Sequence, residues 1–583
     1  MELHFSAGSR AKKIAIILLI ILGLFVVRLF YIQIVQHDRY VSQADSEQIK
    51  KFTLRAERGE IYALDGDEPV KLVLNQTVYT VWADPTLVDD RQAVIDVLNQ
   101  VAGGNVRKDF AKYLDVKESR YQVLATKVTL RQAEMIKKKR LAGIGFDATN
   151  QRVYPEGQLA SQVLGFVNNE GKGVYGFEQE NDDLLRGTDG TLKTVTDVRD
   201  VPLTIGDKNI KQPAKNGKNL VLTIDRNIQA HTEQALADAL QRSGAGHASA
   251  IVMDPATGKV MAMANLPTYD PSNINAVTDV SWFNNDTISN PYEPGSDIKT
   301  LTMAVGLDKG VITPDTTYNN TDKIVVDDKV IGNASQGHTG MITMQTALNW
   351  SLNTGMVTVA EKLGDGSRIT RQSRDTIYDY FYNRMRLGKS TGIELANEQL
   401  GTVIAPTEVE GNAVRYSNMV FGQGMDATMI QVASAFCAAI NGGIYRMPTV
   451  IAGNITDDGV FKPSAARQSY PGVIKESTST TLREMVHLSH YATYNPHDGT
   501  EEAFNIGGKT GTSQTIENGK YVNDQTIGTY LGYGGEVGKI PRYVIMVEIS
   551  AKDKSMGGGT DAKPVFNNIS NWLINYLKLS PKA

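Results

Sequence analysis

An unbroken apolar run over residues 14–27 constrains this chain more than any other feature of its sequence. The apolar pattern resumes after Arg28, and a helix over residues 14–35 would be about 33 Å long at 1.5 Å per residue. A segment of that length and composition can cross a bilayer. One part of the chain is therefore predicted to be a membrane helix.

Three basic residues precede the run: Arg10, Lys12 and Lys13. By the positive-inside rule they keep the N-terminus in the cytoplasm, which places the rest of the chain outside the cell membrane. A cleaved signal peptide is the alternative, but the run is longer than an ordinary signal-peptide core and no small-residue cleavage motif follows it. We therefore predict a cytoplasmic tail at 1–13 and an uncleaved, single-pass plasma-membrane helix at 14–36.

Composition excludes several other classes of protein. The 583 residues allow two to four domains, and 60 Lys and Arg against 64 Asp and Glu give a net charge of −4. This charge gives no support for nucleic-acid binding through a basic face. The single cysteine, Cys437, lies in an apolar stretch and is predicted to be a buried structural thiol. His487 and His490 lack the further ligands that a metal site needs, so no metal is predicted.

The character of the sequence changes near residue 215. Residues 37–215 mix strand, turn and amphipathic-helix patterns, and they hold no convincing set of catalytic or metal-binding residues. A polar segment containing Pro213 and Gly217 then indicates a boundary. We predict a non-catalytic pedestal domain for dimerisation or interaction at 37–215, and a catalytic domain at 216–583.

The catalytic segment carries both helix and strand patterns. Asp225 is the predicted cap of a helix that runs to about Gln241, and a last helix puts Val565, Ile569 and Leu573 on one face. The predicted strands lie at 220–224, 250–253, 260–263, 527–531 and 543–547. Because antiparallel strands lie at both ends of the segment, with helices between and after them, the predicted fold class is α+β with a central antiparallel sheet.

The first of three short motifs is Ser296-x-x-Lys299, which follows Pro294 and Gly295. A helical pattern begins near Ile298, so Ser296 is predicted at a helix N-terminus with Lys299 one turn further along the same face. A serine hydroxyl becomes nucleophilic when a base takes its proton, and an unprotonated lysine amine about 3 Å away can do this. Because the ordinary lysine pKa is about 10.4, this lysine needs burial or a nearby positive charge.

The second motif pairs Ser351 with Asn353 in a predicted connection between two helices. A hydroxyl and an amide two residues apart can both face a cleft, where Ser351 can relay a proton and Asn353 can hold Lys299 and a substrate amide. Taken alone, the pair more often caps a turn than serves a catalytic role.

The third motif is Lys509-Thr510-Gly511-Thr512, in a predicted edge-strand context. Glycine lets a peptide backbone approach closely, and the lysine and hydroxyl groups suit a carboxylate. A phosphate-binding loop is the alternative, but it needs a glycine six residues before the lysine, and Ala503 stands there.

The three motifs in this order resemble the signature of the penicilloyl-serine transferases. The chain resembles, more closely, the class B penicillin-binding proteins, which are monofunctional peptidoglycan transpeptidases of cell division and elongation. Six further stretches carry the likeness along nearly the whole chain: Arg58-Gly59-Glu60-Ile61-Tyr62, Arg152-Val153-Tyr154-Pro155, Gly173-Val174-Tyr175-Gly176-Phe177-Glu178, Tyr269-Asp270-Pro271, Glu293-Pro294-Gly295 and Gly422-Gln423-Gly424.

The resemblance implies five catalytic residues: Ser296, Lys299, Ser351, Asn353 and Lys509. It makes Ser296 the acyl-enzyme nucleophile and Lys299 its proton acceptor, while Ser351 and Asn353 complete the proton network. Lys509, with the substrate-binding residues Thr510, Gly511 and Thr512, would hold the terminal carboxylate of the donor peptide. The backbone N–H groups of Ser296 and Thr512 would form the oxyanion hole.

The implied reaction is attack on the D-Ala–D-Ala bond of a peptidoglycan stem peptide, release of D-Ala, and transfer to an amine of a neighbouring stem. The resemblance implies acylation by β-lactams, no cofactor, and partners that include a membrane glycan polymerase and division or elongation proteins. A D,D-carboxypeptidase or another penicillin-interacting hydrolase is the first alternative, since water can replace the acceptor amine. A non-catalytic scaffold of the division or elongation machinery is the second.

Overall fold

The computed structural model describes residues 10–40, 49–195, 210–492, 503–517 and 520–582. Contacts divide the chain into two compact units. The first unit combines residues 1–57 with 187–217, and the second combines 58–186 with 218–583.

The described strands and helices are numbered separately in chain order. The strands are β1 Ile49–Leu54, β2 Ile61–Asp65, β3 Glu68–Ala83, β4 Gln122–Thr129, β5 Ile144–Val153, β6 Phe166–Val167, β7 Gly173–Val174, β8 Gly190–Val195, β9 Ile210–Gln212, β10 Asn219–Asp225, β11 His247–Met253, β12 Val260–Leu266, β13 Thr317–Asn320, β14 Lys323–Val326, β15 Lys329–Gly332, β16 Gly340–Thr343, β17 Ile444–Arg446, β18 Ile451–Ile455, β19 Phe461–Pro463, β20 Ser469–Pro471, β21 Asn505–Glu517, β22 Lys520–Gly535 and β23 Tyr543–Ser550. The α-helices are α1 Arg10–Phe30, α2 Arg91–Val101, α3 Phe110–Tyr113, α4 Leu130–Lys137, α5 Ser161–Leu164, α6 Gly176–Glu180, α7 Asp182–Arg186, α8 Arg226–Ser243, α9 Asp286–Ser289, α10 Ile298–Asp308, α11 Met344–Asn349, α12 Asn353–Lys362, α13 Arg371–Tyr378, α14 Ala413–Met419, α15 Met429–Ile440, α16 Glu476–Ala492 and α17 Lys563–Tyr576.

The first unit contains the predicted membrane segment. Helix α1 continues into a π-helical turn, Tyr31–Val35, and the stretch Lys12–Val35 is the one helix among the described residues that is long and apolar enough to span a membrane. It corresponds to the helix predicted at 14–36. The same unit contains a small antiparallel sheet in the order β1-β8-β9.

A seven-stranded sheet forms the N-terminal part of the second unit. Its order is β19-β18-β10-β2-β3-β4, with β5 paired to β3. Helices α2 and α4 bury their apolar faces with this sheet in one hydrophobic cluster. Each helix begins at a common type of cap: the Asp90 side chain accepts from Ala93 N, and Thr129 and Gln132 form a capping box.

The predicted boundary at residue 215 lies two residues from one limit of the compact units, at 217, and the predicted pedestal is divided between the two units. Strand β2, in the predicted pedestal, pairs in parallel with β10, in the predicted catalytic domain. Backbone hydrogen bonds therefore join the two segments within one sheet, and residues 58–186 belong to the same unit as the catalytic segment.

A five-stranded antiparallel sheet in the order β12-β11-β23-β22-β21 is the framework of the catalytic segment. Helices α8 and α17 pack on it in one hydrophobic cluster, and α10, α15 and α16 belong to the main core. Asp225 caps α8 as predicted, because its side chain accepts from Asn227 N and Ile228 N. The α+β prediction is confirmed, and Cys437 is buried within α15.

Candidate active site

Ser296 lies in a 3-10 turn, Gly295–Asp297, that leads directly into α10. The predicted position at a helix N-terminus is therefore found in the structure. Gly295 adopts a positive φ of 58°, and its N–H donates to Gly422 O at 3.0 Å, which ties the turn to a neighbouring loop. Ser296 itself remains partly accessible, as its predicted role of nucleophile requires.

Lys299 is buried at the start of α10, with 1% of its surface exposed. Its Nζ donates to the backbone oxygen of Ser351 at 2.5 Å and to Ser351 Oγ at 3.1 Å. Burial lowers the pKa of Lys299 well below its ordinary value, and the nearby charge of Lys509 lowers that pKa further. Both effects favour the neutral amine that a general base requires.

Ser351 lies in the connection between α11 and α12, as the sequence predicts, and it has a left-handed backbone with φ of 58°. For a residue with a Cβ this conformation costs about 1–2 kcal/mol. The strained position directs the hydroxyl between two lysines, since Ser351 Oγ accepts from Lys299 Nζ at 3.1 Å and from Lys509 Nζ at 2.9 Å.

Asn353 begins α12, two residues beyond Ser351. Its Nδ2 donates to Gly332 O at 2.8 Å, at the end of the β14–β15 hairpin. The predicted contact of Asn353 with Lys299 is not among the hydrogen bonds of the described residues, where Lys299 instead binds Ser351. The intervening Leu352 is fully buried in the core.

Lys509 lies on β21, which is an edge strand of the central sheet. Besides binding Ser351, its Nζ donates to Thr510 O at 2.8 Å and to Thr510 Oγ1 at 3.3 Å. Burial is the main cause that lowers the pKa of Lys509, and the carboxylate of Asp297 opposes this effect. Thr510 is half-buried and Thr512 is exposed, so the predicted carboxylate-binding hydroxyl groups lie toward the open side of the strand.

The free edge of β21 faces the turn that carries Ser296. A methyl group placed on Gly295 would lie 3.0 Å from Thr512 O. In an antiparallel strand, the N–H and C=O of one residue point to the same side, so the N–H of Thr512 also faces this turn. The structure thus brings all three predicted motifs together around Ser351 and Ser296.

Two buried acids at the site were given no role by sequence reasoning. Glu293 accepts from Gly424 N at 2.7 Å and from the Tyr521 hydroxyl at 3.1 and 3.2 Å, which ties the loop before Ser296 to β22. Asp297 accepts from Thr529 Oγ1 at 2.7 Å. Glu293 belongs to one of the stretches that carry the family resemblance, whereas Asp297 occupies a position that the Ser-x-x-Lys motif leaves unspecified.

His487 and His490, which the sequence analysis rejected as metal ligands, each lie within hydrogen-bond distance of a neighbouring group. His487 Nδ1 lies 2.7 Å from Ile506 O, and His490 Nδ1 lies 2.5 Å from the Tyr530 hydroxyl. Within the described ranges, no group of three or more metal-ligating side chains is found.

Two family models match the chain. Residues 248–571 match the penicillin binding protein transpeptidase domain, and residues 53–222 match the penicillin-binding protein dimerisation domain. The chain therefore belongs to the class B penicillin-binding proteins, and the resemblance inferred from its motifs is confirmed.

Similar proteins cover most of the chain. Stage V sporulation protein D of Bacillus subtilis is 28% identical over 98% of this chain and 86% of its own length. Penicillin-binding protein PbpB of Mycolicibacterium smegmatis is 30% identical over 75% of this chain and 67% of its own. Peptidoglycan D,D-transpeptidase FtsI of Escherichia coli K12 is 26% identical over 97% and 91%, respectively.

Solved structures show the same fold. A peptidoglycan synthetase from Bifidobacterium adolescentis matches with a TM-score of 0.71 and 25% identity, over 92% of this chain and 98% of that one. Penicillin Binding Protein 2X from Streptococcus thermophilus matches with a TM-score of 0.72 and 22% identity, over 91% and 80%.

Proposed function

We propose that this protein is a peptidoglycan D,D-transpeptidase that cross-links stem peptides through an acyl-enzyme on Ser296. Relatives named peptidoglycan D,D-transpeptidases support the activity. The observation that carries the mechanism is the Ser351 hydroxyl, which accepts hydrogen bonds from both Lys299 and Lys509. This arrangement links the base beside the nucleophile to the cation that would hold the donor carboxylate.

In the first half-reaction, Ser296 Oγ attacks the carbonyl carbon of the penultimate D-Ala while Lys299 Nζ takes the hydroxyl proton. The buried amine suits this role because its pKa is lowered. The backbone N–H groups of Ser296 and Thr512 stabilise the oxyanion. Lys509, Thr510 and Thr512 hold the terminal carboxylate, and Gly511 lets the peptide lie against the strand.

When the tetrahedral intermediate collapses, the bond to the terminal D-Ala nitrogen breaks and that nitrogen needs a proton. Ser351 donates its hydroxyl proton to the leaving amine and receives one from Lys299, so D-Ala leaves as a neutral amine and Ser296 carries the ester. Asn353 would orient the donor peptide through its amide. An acceptor amine then attacks the ester, and the same groups return the proton to Ser296.

The same nucleophile and base would open a β-lactam ring, so acylation by β-lactams is part of the proposal. No cofactor is needed, because Ser296 itself carries the acyl group. Further parts of the proposal concern the setting of the enzyme. Residues 1–13 lie in the cytoplasm, 14–36 anchor the chain, 37–215 form the pedestal, and 216–583 act outside the plasma membrane, with a glycan polymerase and division or elongation proteins as partners.

Labelling with a fluorescent penicillin tests the nucleophile and the base. We expect Ser296→Ala to abolish labelling and Lys299→Ala to slow acylation by about 100-fold or more, since a general base contributes about 10²–10⁴-fold. Ser477→Ala and Lys309→Ala change exposed residues and serve as matched controls. Full labelling of Ser296→Ala would contradict the assignment of the nucleophile.

A second experiment separates a transferase from a hydrolase. The full-length protein is incubated with a stem-peptide thioester and a candidate amine, and the products are identified by mass spectrometry. A transpeptidase yields the amide of the two substrates. Hydrolysed peptide alone, over a range of amines that includes stem-peptide acceptors, would favour the carboxypeptidase alternative.

A further inference from the structure

The side chain of Asp297 is a buried carboxyl group that has no part in the steps above. It is fully inaccessible to solvent, although it directly follows the nucleophile. One oxygen, Oδ2, accepts a hydrogen bond from Thr529 Oγ1 at 2.7 Å. The other, Oδ1, is buried without a hydrogen-bond partner among the described residues. An acid held in this way costs free energy, so its environment must supply a compensating interaction.

The backbone of β21 passes directly in front of this carboxyl group. A methyl group placed on Gly511 would lie 2.8 Å from Asp297 Oδ2 and would collide with Thr529 Oγ1. Glycine at this position therefore leaves the room that the carboxyl group occupies. Because side chains alternate along a strand, residues 509 and 511 share one face, which puts Lys509 on the side of β21 where Asp297 lies.

The charges around Asp297 favour an interaction with Lys509. Burial raises the pKa of Asp297 to about 7, while the charge of Lys509, from β21, opposes this rise and favours the carboxylate above that pH. From β22 and from the loop before the turn, Tyr530 and Tyr292 face the same region, but burial raises both phenol pKa values well above 10, so both stay neutral. In the helix that follows Asp297, burial lowers the pKa of Lys299, which favours its neutral form.

Other influences on Lys509 act in the opposite direction. Burial lowers its pKa, and the positive charge of Lys563 lowers it further, whereas Asp297 raises it. Without the carboxylate, Lys509 would lose its proton at a lower pH, and it would then hold the donor carboxylate less tightly.

We propose that Asp297 is a positioning residue whose carboxylate, fixed by Thr529 behind Gly511, is the counter-charge that keeps Lys509 cationic beside Ser351. It thereby sets the upper pH limit of the reaction without touching the substrate. This inference rests on the proposed function, because the cation acts there on the carboxylate of the donor peptide or β-lactam.

The test measures the rate constant of acylation by a fluorescent penicillin from pH 6 to 10, in the full-length protein. Asp297→Asn and Asp297→Ser remove the charge and keep a group that can bind Thr529. For both, we expect the alkaline limb of the profile to move at least about one pH unit lower, as expected for loss of a nearby opposite charge. Thr529→Val is the matched control, since it removes the hydrogen bond and keeps the carboxyl group. Because that bond lowers the Asp297 pKa, the limb of this variant should move less than the limbs of the two uncharged variants.

The outcomes separate this inference from the proposed function. If the wild-type protein is not labelled on Ser296, the proposed function fails and the inference fails with it. If the wild-type protein is labelled but the uncharged variants keep its alkaline limb, or lower the rate equally at every pH, the inference alone is overturned. If neither uncharged variant shows cooperative melting, Asp297 is a structural residue and the inference is equally overturned.

Discussion

Ser351 offers a direct test of the site, because its hydroxyl and its backbone make separate contributions. The hydroxyl accepts from Lys299 at 3.1 Å and from Lys509 at 2.9 Å. Its backbone adopts φ of 58°, which glycine adopts readily and alanine adopts only at a cost in free energy. Ser351→Ala removes the hydroxyl and keeps the strain, whereas Ser351→Gly removes both.

The two variants should therefore agree in activity and differ in stability. Loss of the proton relay should lower the acylation rate by about 10²–10⁴-fold in both. The left-handed backbone costs an alanine about 1 kcal/mol relative to glycine, so the Gly variant should be more stable than the Ala variant by about that amount. Relative to the wild type, Ser351→Gly relieves the backbone strain but also loses the hydrogen bonds to Lys299 and Lys509, and these two effects on stability oppose each other.

Acylation is measured with a fluorescent penicillin in the full-length protein, and stability is measured as the midpoint of urea unfolding. Activity within about 10-fold of the wild type in either variant would refute the relay. Activity restored in Ser351→Gly but absent in Ser351→Ala would show that the backbone, rather than the hydroxyl, limits the reaction.

Two further predictions concern stability and pH. Glu178 is fully buried, and its carboxylate binds both Arg58, at 2.5 Å, and Arg152, at 2.8 Å. Glu178→Gln should therefore lower the free energy of unfolding, measured in urea, by about 3–5 kcal/mol, and a change below about 1 kcal/mol would contradict this prediction. The rate of acylation by a β-lactam should follow a bell-shaped pH profile. It should rise as Lys299 loses its proton, at a pH below the ordinary lysine pKa, and fall as Lys509 loses its proton. A rate that still rises at pH 10 would contradict the roles assigned to the two lysines.

Local sequence patterns predicted much of the fold. Asp225 caps its helix where the sequence indicated, and the strands and helices of the catalytic segment lie where alternation and helical spacing placed them. These features depend on neighbouring residues along the chain, so the sequence specifies them directly. The pairing of β2 with β10 was not predicted, because it joins residues that are about 160 positions apart in the chain.

In the candidate site, too, features that depend on short stretches of chain were predicted, and contacts between distant segments were not. The types and order of the residues in the three motifs were sufficient to indicate the family, and they led to the prediction of Ser296, Lys299 and Lys509 as catalytic residues. The contact of Asn353 with Gly332, by contrast, depends on a hairpin that the sequence did not connect to the motif.

By itself, the sequence determined the apolar helix, the α+β pattern and the motifs that hold the proposed catalytic residues, because each of these depends on a short stretch of chain. The tertiary structure alone decided that Ser351 lies between Lys299 and Lys509, that both lysines are buried, and that Asp297 lies behind β21. The protonation of a lysine depends on the dielectric and the charges around it, and these are contributed by segments that are distant in the chain. Chemical reactivity at this site is therefore a property of the packed molecule, even though the groups that carry it can be read from the sequence.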